Sequence, residues 1–586
     1  MNLTPPPSLA EAPRRRLKLH ALAALFLMFF GFGTSLIISR HVFERLPHLE
    51  DEFAYLYQAK IFAGGRVWID RGDDPAKYFW QPFLLQVKAP DGEYQRQFSK
   101  YPPGWSLVLM TGVWLGLPAL INAFLAMLNV GLTYRLGREI FDPITGLVAA
   151  LLLAISPMAL LINATLMSHT WAMSCVIVFT YAYWRTTRHG QGRFRWAILG
   201  GLMLGLLAAT RPLTAVAMAM PTAIHALSRL YALSQKPNSL SPHQPQAASQ
   251  PGLKAQLTVM FTFALATLPT TGLYPLYNLI TTGDARTNTY TLLWKYDTVG
   301  FGEGYGLNKG GHSLSYGWRN ARRDLTEWFR DLYGVTLDKS IAGYMQASFG
   351  WGAGVGLSWV PLLVGLFFGR RKGWVWFFFL YLVFIVGSGL LYWIGSVVNG
   401  AAAYSVRYYF EATFAVCLVS AYGITAWARA LQHNPDESGG RLEKLWNRVY
   451  PIYFWLLVAC AASLIGYTPA RLREPLPPDW PNGLWRYNKA GMNQIAAIDA
   501  LRGDQPAVIL ILNSKAPGFR DNWRDYAAPL AYTDPYLKSD IIVVRVYELD
   551  EVPPIAQRFL GRTVLYQIGE HLYRSLDEAE TQVNMP

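Results

Sequence analysis

The stretch RRRLKLHALAALFLMFFGFGTSLIIS, residues 14–39, decides the fold class. An apolar helix needs roughly 20 residues to cross the hydrocarbon of a bilayer, and the run from Leu19 to Ser39 meets that length. Arg14, Arg15, Arg16 and Lys18 precede it, as in the head of a signal peptide, but the run is long for one and no small-x-small cleavage site follows. It reads as an uncleaved anchor with its N-terminus in the cytoplasm.

Working outward from this anchor, about eleven apolar runs qualify as spans, starting near residues 19, 118, 144, 169, 196, 212, 256, 351, 374, 408 and 449. The chain is 52% hydrophobic and 15% charged, which excludes disorder and argues against an ordinary soluble enzyme. Its net charge of +14 would suggest nucleic acid in a soluble protein. Here the basic residues cluster between apolar runs, so no nucleic-acid partner is expected and membrane lipid is. The clusters Arg135/Arg138, Arg185 to Arg195, Arg370 to Lys372 and Arg429 to Arg448 fall in every second connection. That alternation fits a multi-pass protein of the cell membrane with a cytoplasmic N-terminus and an extracytoplasmic C-terminus. Cys175, Cys417 and Cys460 all lie in apolar stretches, so neither a disulfide framework nor zinc spacing is visible.

The expected class is therefore mostly α, a polytopic membrane protein with a small C-terminal extracytoplasmic α/β domain. Residues 1–469 form the transmembrane domain, with outer loops at 40–103 and 281–350, and residues 470–586 form the outer domain. The spacing predicts a helix over Met492–Leu501 and short buried strands over Ala507–Leu512, Ile541–Val546 and Thr563–Ile568. Pro118 divides the run Gly104–Tyr134 into an interfacial helix and a span, and the fifth and sixth spans meet at Thr210-Arg211-Pro212. The Pro/Ser/Gln stretch Gln235–Pro251 reads as a disordered cytoplasmic linker.

Chemistry concentrates in the first outer loop, at Pro47-His48-Leu49-Glu50-Asp51-Glu52 and the following Phe53-Ala54-Tyr55-Leu56-Tyr57-Gln58-Ala59-Lys60. Leu49, Phe53, Leu56 and Phe62 suggest an amphipathic helix lying on the membrane with Asp51 and Glu52 in its first turn. The helix dipole favours ionised carboxylates there, as a general base requires. Plain N-terminal capping by acids explains the same residues. With Glu50 the acids number three in a row, and mutual repulsion should raise the pKa of at least one.

An acid pair just after the first span, on the outer face of a multi-span chain, resembles the GT-C superfamily of membrane glycosyltransferases. Within it, the likeness is to the protein O-mannosyltransferase and lipid A aminoarabinose transferase group, of the family 39 type. The elements that carry it are Asp51-Glu52 with Tyr55 and Gln58-Ala59, Lys100-Tyr101-Pro102-Pro103-Gly104-Trp105, Ser168-His169-Thr170, Thr210-Arg211-Pro212 and Arg407-Tyr408-Tyr409. They cover roughly residues 1 to 430. The resemblance implies a polyprenyl-phosphate-linked sugar donor, a hydroxyl acceptor of unknown glycan, lipid or protein nature, and inversion at the anomeric carbon. It carries the general base to Asp51, with Glu52 as the second acid of the catalytic pair. The leaving lipid phosphate needs cations, for which Arg211, Arg407 and Lys100 stand at the same outer level. Tyr55, Tyr101, His169 and Tyr408 are the expected donor- and acceptor-binding residues.

Snorkelling to lipid headgroups is the plainer account of Lys100 and Arg407, though Glu411 offers Arg407 a partner one helical turn on. Where related transferases often carry a further acid, this chain has Ser168-His169-Thr170. No cofactor is expected, and metal dependence stays open. Gly300 to Gly306 lacks the spacing and the preceding strand of a phosphate loop and reads as a flexible lid or acceptor loop. His312, Trp318 and Trp328 after it suit sugar stacking or membrane packing. A transporter or lipid flippase, with charges near the bilayer midplane, is the rival class, and a non-catalytic envelope scaffold is a third.

Overall fold

A computed structural model describes residues 11–72, 78–88, 95–188, 192–235, 253–336, 356–396, 404–432, 450–472, 484–512 and 522–583. The expected linker Gln235–Pro251 lies outside them except for Gln235. The chain opens with α1 (Glu11–His41) and α2 (Glu50–Ala63), then the strands β1 (Ile69–Asp70), β2 (Leu84–Lys88) and β3 (Gln95–Ser99). The helices α3 (Pro103–Trp114), α4 (Pro118–Ile140), α5 (Pro143–Ile155), α6 (Pro157–Asn163), α7 (His169–Thr187), α8 (Arg193–Ala208) and α9 (Pro212–Ser234) follow. Proline opens α3, α4, α5, α6 and α9. Its fixed φ suits the first helical position, where its missing N–H has no partner to lose. The breaks read at Pro118 and Arg211-Pro212 are thus real helix starts.

Beyond them run α10 (Leu253–Thr271), α11 (Leu273–Thr282), α12 (Thr289–Leu293), α13 (Leu314–Asp331), α14 (Trp359–Phe368) and α15 (Gly373–Leu390). A 3₁₀ turn, Arg407–Ala412, leads into α16 (Thr413–Gln432), and α17 (Tyr450–Ala462) passes through a π turn into α18 (Thr468–Leu472).

Six helical segments among the described residues are long and apolar enough to cross a membrane: Leu19–His41, Pro118–Ile140, Leu253–Thr282, Gly373–Leu390, Arg407–Leu431 and Pro451–Leu472. The pair α5 and α6, bent by 61°, makes a seventh if it counts as one span. The chain is a multi-pass membrane protein, and by this criterion it has six to seven spans where eleven were expected. A helix does stand near each expected position, but α8 has 16 residues and α14 only 10. The 19-residue α7 is buried along most of its length. A helix wrapped by other helices need not be apolar on every face.

Two features of residues 40–103, expected to form an outer loop, differ from expectation. They contain a three-stranded antiparallel sheet, ordered β1-β3-β2. In addition, α2 does not lie on a surface: of its fourteen residues only Glu50, Asp51, Lys60 and Ala63 escape burial. Gln97 and Ser99 of β3 meet α2 through polar bonds, Tyr57 Oη donating to Gln97 Oε1 (2.7 Å) and Ser99 N to Gln58 Oε1 (2.9 Å).

At the C-terminal end, α19 (Met492–Arg502), β4 (Ala507–Leu512), β5 (Ile541–Val546) and β6 (Thr563–Ile568) occupy the expected stretches, and an edge strand β7 (His571–Tyr573) joins them. The sheet order is β5-β4-β6-β7, parallel except for β7. All six residues of β4 are buried, as a central parallel strand covered on both faces must be. This unit grips the segment that bears α2. Phe53 and Leu46 share a core with Ile495, Ile509 and Leu530. Asn488 Nδ2 donates to His48 O (2.7 Å), Lys60 Nζ to Ala531 O (2.7 Å) and Tyr536 Oη to Ile61 O (2.8 Å). Burial brings the Lys60 amine down to about 8, against the opposing charge of Asp534.

Candidate active site

The three consecutive acids at the start of α2 point to three different environments. Glu50 Oε1 accepts from Trp523 Nε1 at 3.2 Å. Glu52 folds back, its Oε2 accepting from His48 N (3.0 Å), Leu49 N (3.1 Å) and Tyr404 Oη (2.7 Å), while Oε1 accepts from Leu166 N (2.7 Å). A third-position Glu reaching back to the cap backbone satisfies donors that the first helical turn leaves open. Burial pushes the Glu52 carboxyl above its ordinary range, opposed by the Tyr404 hydrogen bond. The rise comes from desolvation and not from the expected repulsion among neighbouring acids.

Asp51 is left facing a cavity of about 910 Å³. Its Oδ2 accepts from Arg407 Nη1 at 3.0 Å and its Oδ1 from Tyr101 Oη. Burial alone would raise its pKa, but the Arg407 charge, the Tyr101 hydrogen bond and Lys100 together hold it below the ordinary carboxylate value.

Tyr55, Lys100, Tyr101, His169, Arg211, Arg407 and Tyr408 line the same cavity. Of the nine candidate residues only Glu52 does not: its oxygens are occupied in joining α2 to the chain at His48, Leu49, Leu166 and Tyr404. Each cation has its own carboxylate. Arg407 pairs with Asp51, Arg211 Nε with Glu411 Oε1 (3.0 Å), and Lys100 Nζ with Asp297 Oδ2 (3.5 Å).

The expected Arg407–Glu411 pair is replaced, because Arg407 starts a 3₁₀ turn. There residues i and i+3 eclipse, so i+4 lies a third of a turn away. Glu411 instead meets His169 Nδ1 at 3.1 Å, and Arg211 Nη1 approaches His169 Nε2 at 3.4 Å. With its proton on Nδ1, the imidazole accepts from Arg211 and is held on both sides.

The headgroup role for Lys100 is also corrected. Its side chain is 4% exposed, and its ammonium sits 4.0 Å from the Phe83 ring centre and 4.4 Å from that of Trp294. Burial lowers the Lys100 pKa, with Asp297 and Asp51 offsetting part of the effect. Tyr408 lies beside both guanidinium groups, 5.4 Å from Arg407 and 5.9 Å from Arg211. Tyr55 Oη is 3.2 Å from Ser168 Oγ, and its ring stands 4.6 Å from that of Tyr101.

Sequence reasoning missed Asp297, which also accepts from Tyr392 Oη (2.5 Å) and Trp393 Nε1 (3.1 Å). An acid inside the aromatic run Trp294-Lys295-Tyr296-Asp297 was the available signal. Glu411, a carboxylate opening an apolar run, carried the same signal as the intramembrane charges that default to function.

His312, Trp318 and Trp328 do not line the cavity. Trp328 is fully buried, His312 Nε2 lies 3.0 Å from Leu390 O, and Trp318 is exposed. Val299 and Leu307, flanking the glycine-rich loop, do reach the cavity wall. Among the described residues no group of three or more His, Cys, Asp or Glu side chains is arranged to hold a metal ion.

Comparison with curated proteins found no significant match. Among solved structures, the chain is similar to the archaeal oligosaccharyltransferase AglB from Archaeoglobus fulgidus, in complex with an inhibitory peptide and a dolichol-phosphate. The identity is 14% over 94% of this chain and 69% of that one, with a TM-score of 0.46. It is also similar to ArnT from Cupriavidus metallidurans bound to undecaprenyl phosphate, with 13% identity over 96% and 94% of the two chains and a TM-score of 0.48. The arabinofuranosyltransferase AftD from Mycobacteria matches at 15% identity, over 86% of this chain and 30% of that one, with a TM-score of 0.38. At the level of sequence families, residues 107–241, from α3 past α9, match the dolichyl-phosphate-mannose-protein mannosyltransferase family.

Proposed function

We propose that the protein is a GT-C type glycosyltransferase that moves a sugar from a polyprenyl-phosphate donor to a hydroxyl acceptor on the outer face of the membrane, with inversion. The observation that carries this reading is the cavity in which Asp51 stands with Arg407, Arg211 and Lys100, each cation paired to a separate carboxylate. The match of residues 107–241 to a family named for a dolichyl-phosphate sugar supports the donor class.

In this mechanism the acceptor oxygen attacks the anomeric carbon while Asp51 takes the hydroxyl proton. The anomeric C–O bond breaks and its electron pair leaves on the lipid phosphate, whose growing charge the cations stabilise. The donor phosphate competes with Asp51 for Arg407 and so frees a carboxylate oxygen for the incoming proton. Direct displacement converts a β-linked donor into an α-linked product.

The test is transfer by purified protein from polyprenyl-phosphate sugars, with nucleotide sugars as controls. Transfer, or slow donor hydrolysis by water, is expected only from the lipid-linked donors. Lipid translocation without either reaction, across a panel of donors, would favour the flippase reading.

If the cations hold the lipid phosphate, Arg407→Gln and Arg211→Gln each weaken binding of both donor and polyprenyl phosphate product. The expected loss is about 1.5–3 kcal/mol, that of a charge-assisted hydrogen bond. Unchanged product affinity in both variants would remove them from the phosphate site. The reading also requires an odd number of spans, with residues 470–586 on the side opposite the N-terminus. Reporters fused after Tyr231, Leu431 and Pro586 should signal inside, inside and outside, and an inside signal at Pro586 would force a recount.

A further inference from the structure

Helix α13 turns a polar face inward. Its buried positions are Gly317, Asn320, Ala321, Asp324, Trp328 and Asp331, the spacing of a single helical face. Asn320 is 3% exposed and Asp324 2%, and both line the cavity that holds Asp51. Burying an amide and a carboxylate is unfavourable unless their polar atoms find partners. Asp324 Oδ2 accepts from Ser396 N at 2.8 Å, and Asn320 Nδ2 donates to Trp393 O at 3.2 Å. Asn320 Oδ1, in contrast, is buried with no hydrogen-bond partner among the described residues. Such an acceptor at a cavity wall is a group that a ligand can satisfy.

The surroundings define the ligand. Trp393, Tyr392 and Tyr409 supply aromatic faces. A Cβ at Gly395 would lie 3.0 Å from Asn320 Cβ and 3.3 Å from Asp324 Oδ2, so glycine there keeps the space between the two side chains open. Asp324 repels phosphate, and the three cations stand elsewhere, Arg211 just before α9, Arg407 at the 3₁₀ turn and Lys100 between β3 and α3. Two acceptors one helical turn apart, flanked by rings, suit an uncharged ligand rich in hydroxyl donors. The wall is joined to the cationic cluster, since Tyr408 N donates to Ser396 Oγ (3.3 Å) and Trp393 Nε1 to Asp297.

Resting on the transferase reading, we propose that Asn320 and Asp324 form a sugar subsite, in which Asn320 Oδ1 and the Asp324 carboxylate accept hydrogen bonds from sugar hydroxyls. The sugar is either the one carried by the donor or one belonging to the acceptor.

The test uses the full chain in lipid nanodiscs, as wild type, Asn320→Leu and Gly395→Ala. Binding is measured for undecaprenyl phosphate, a panel of undecaprenyl-phosphate sugars and a panel of methyl glycosides. If the subsite holds the donor sugar, both variants bind undecaprenyl phosphate as wild type does and bind the preferred glycosylated donor about tenfold more weakly, the worth of one hydrogen bond. If it holds the acceptor sugar, donor binding and donor hydrolysis stay unchanged while methyl glycoside binding falls about tenfold. Retention of wild-type affinity for every sugar ligand in both variants overturns the proposal, as does a wild type that binds no sugar more tightly than the bare lipid phosphate and no methyl glycoside. Failure of the transferase reading looks different, because wild type would then neither transfer nor hydrolyse any of the lipid-linked sugars, whichever of them it binds.

Discussion

Asp51→Asn should lower turnover by about two to four orders of magnitude, the contribution of a positioned general base, and leave donor binding intact. The amide keeps the shape of the side chain and can still accept from Tyr101, but it cannot take a proton from the acceptor hydroxyl. Arg407 loses its carboxylate partner in this variant and remains available to phosphate. Donor affinity should therefore hold or rise while chemistry fails, a split that misfolding would not produce. The pH profile gives an independent reading. Because Arg407, Tyr101 and Lys100 outweigh burial and keep the Asp51 carboxyl below its ordinary range, the base stays ionised through neutral and mildly acidic pH. Activity is then lost only as pH falls through that depressed value. Arg407→Gln removes the largest of the lowering influences, so the acidic limb of the profile should move to higher pH. Normal turnover in Asp51→Asn would sink the assignment.

The second large effect belongs to Glu52 and falls on stability. Truncation to alanine removes the acceptor for His48 N, Leu49 N, Leu166 N and Tyr404 Oη at once. A buried donor left without a partner costs about 1–3 kcal/mol. Even with water admitted to the gap, Glu52→Ala should cost at least about 3 kcal/mol, a large share of the roughly 5–15 kcal/mol that holds a domain folded. Thermal unfolding in detergent, followed by size exclusion or intrinsic fluorescence, would read this as a clear fall in midpoint. Glu52→Gln keeps one carbonyl oxygen and should fall less. A Glu52→Ala protein that melts like wild type but has lost turnover would restore Glu52 to the chemistry.

Helix starts were legible because proline marks them, at Pro118 and Pro212 in particular, and strands β4, β5 and β6 because runs such as AVILIL and IIVVRV suit a strand covered on both faces. Strand β3 was not, because QRQFS carries the polar side chains that α2 uses as partners, and a polar run reads as loop. For a related reason, fewer helices among the described residues meet the length and apolarity criterion than the sequence suggested: a window of apolar residues does not distinguish lipid from protein as the surroundings of a helix. At the site, the residue types and their order along the chain pointed to one cavity, but the pairing of charges did not follow. Lys100 finds its carboxylate 197 residues away and His169 finds Glu411 242 residues away. Local spacing offered Arg407 a neighbour, Glu411, that the 3₁₀ geometry then withheld.

The grip of the C-terminal unit on α2 has a bearing on biosynthesis. His48 receives its hydrogen bond from Asn488, 440 residues later, and Lys60 reaches a carbonyl 471 residues later. At a synthesis rate of about 5–20 residues per second, the helix that bears Asp51 waits on the order of 20–90 s for these partners. During that interval the acid-bearing turn stands without these supports. A nascent chain halted before the C-terminal unit emerges would hold every residue of the three ion pairs, from Asp51 to Glu411, yet leave the helix that bears Asp51 without its C-terminal clasp, so its anchoring is completed only near the close of translation.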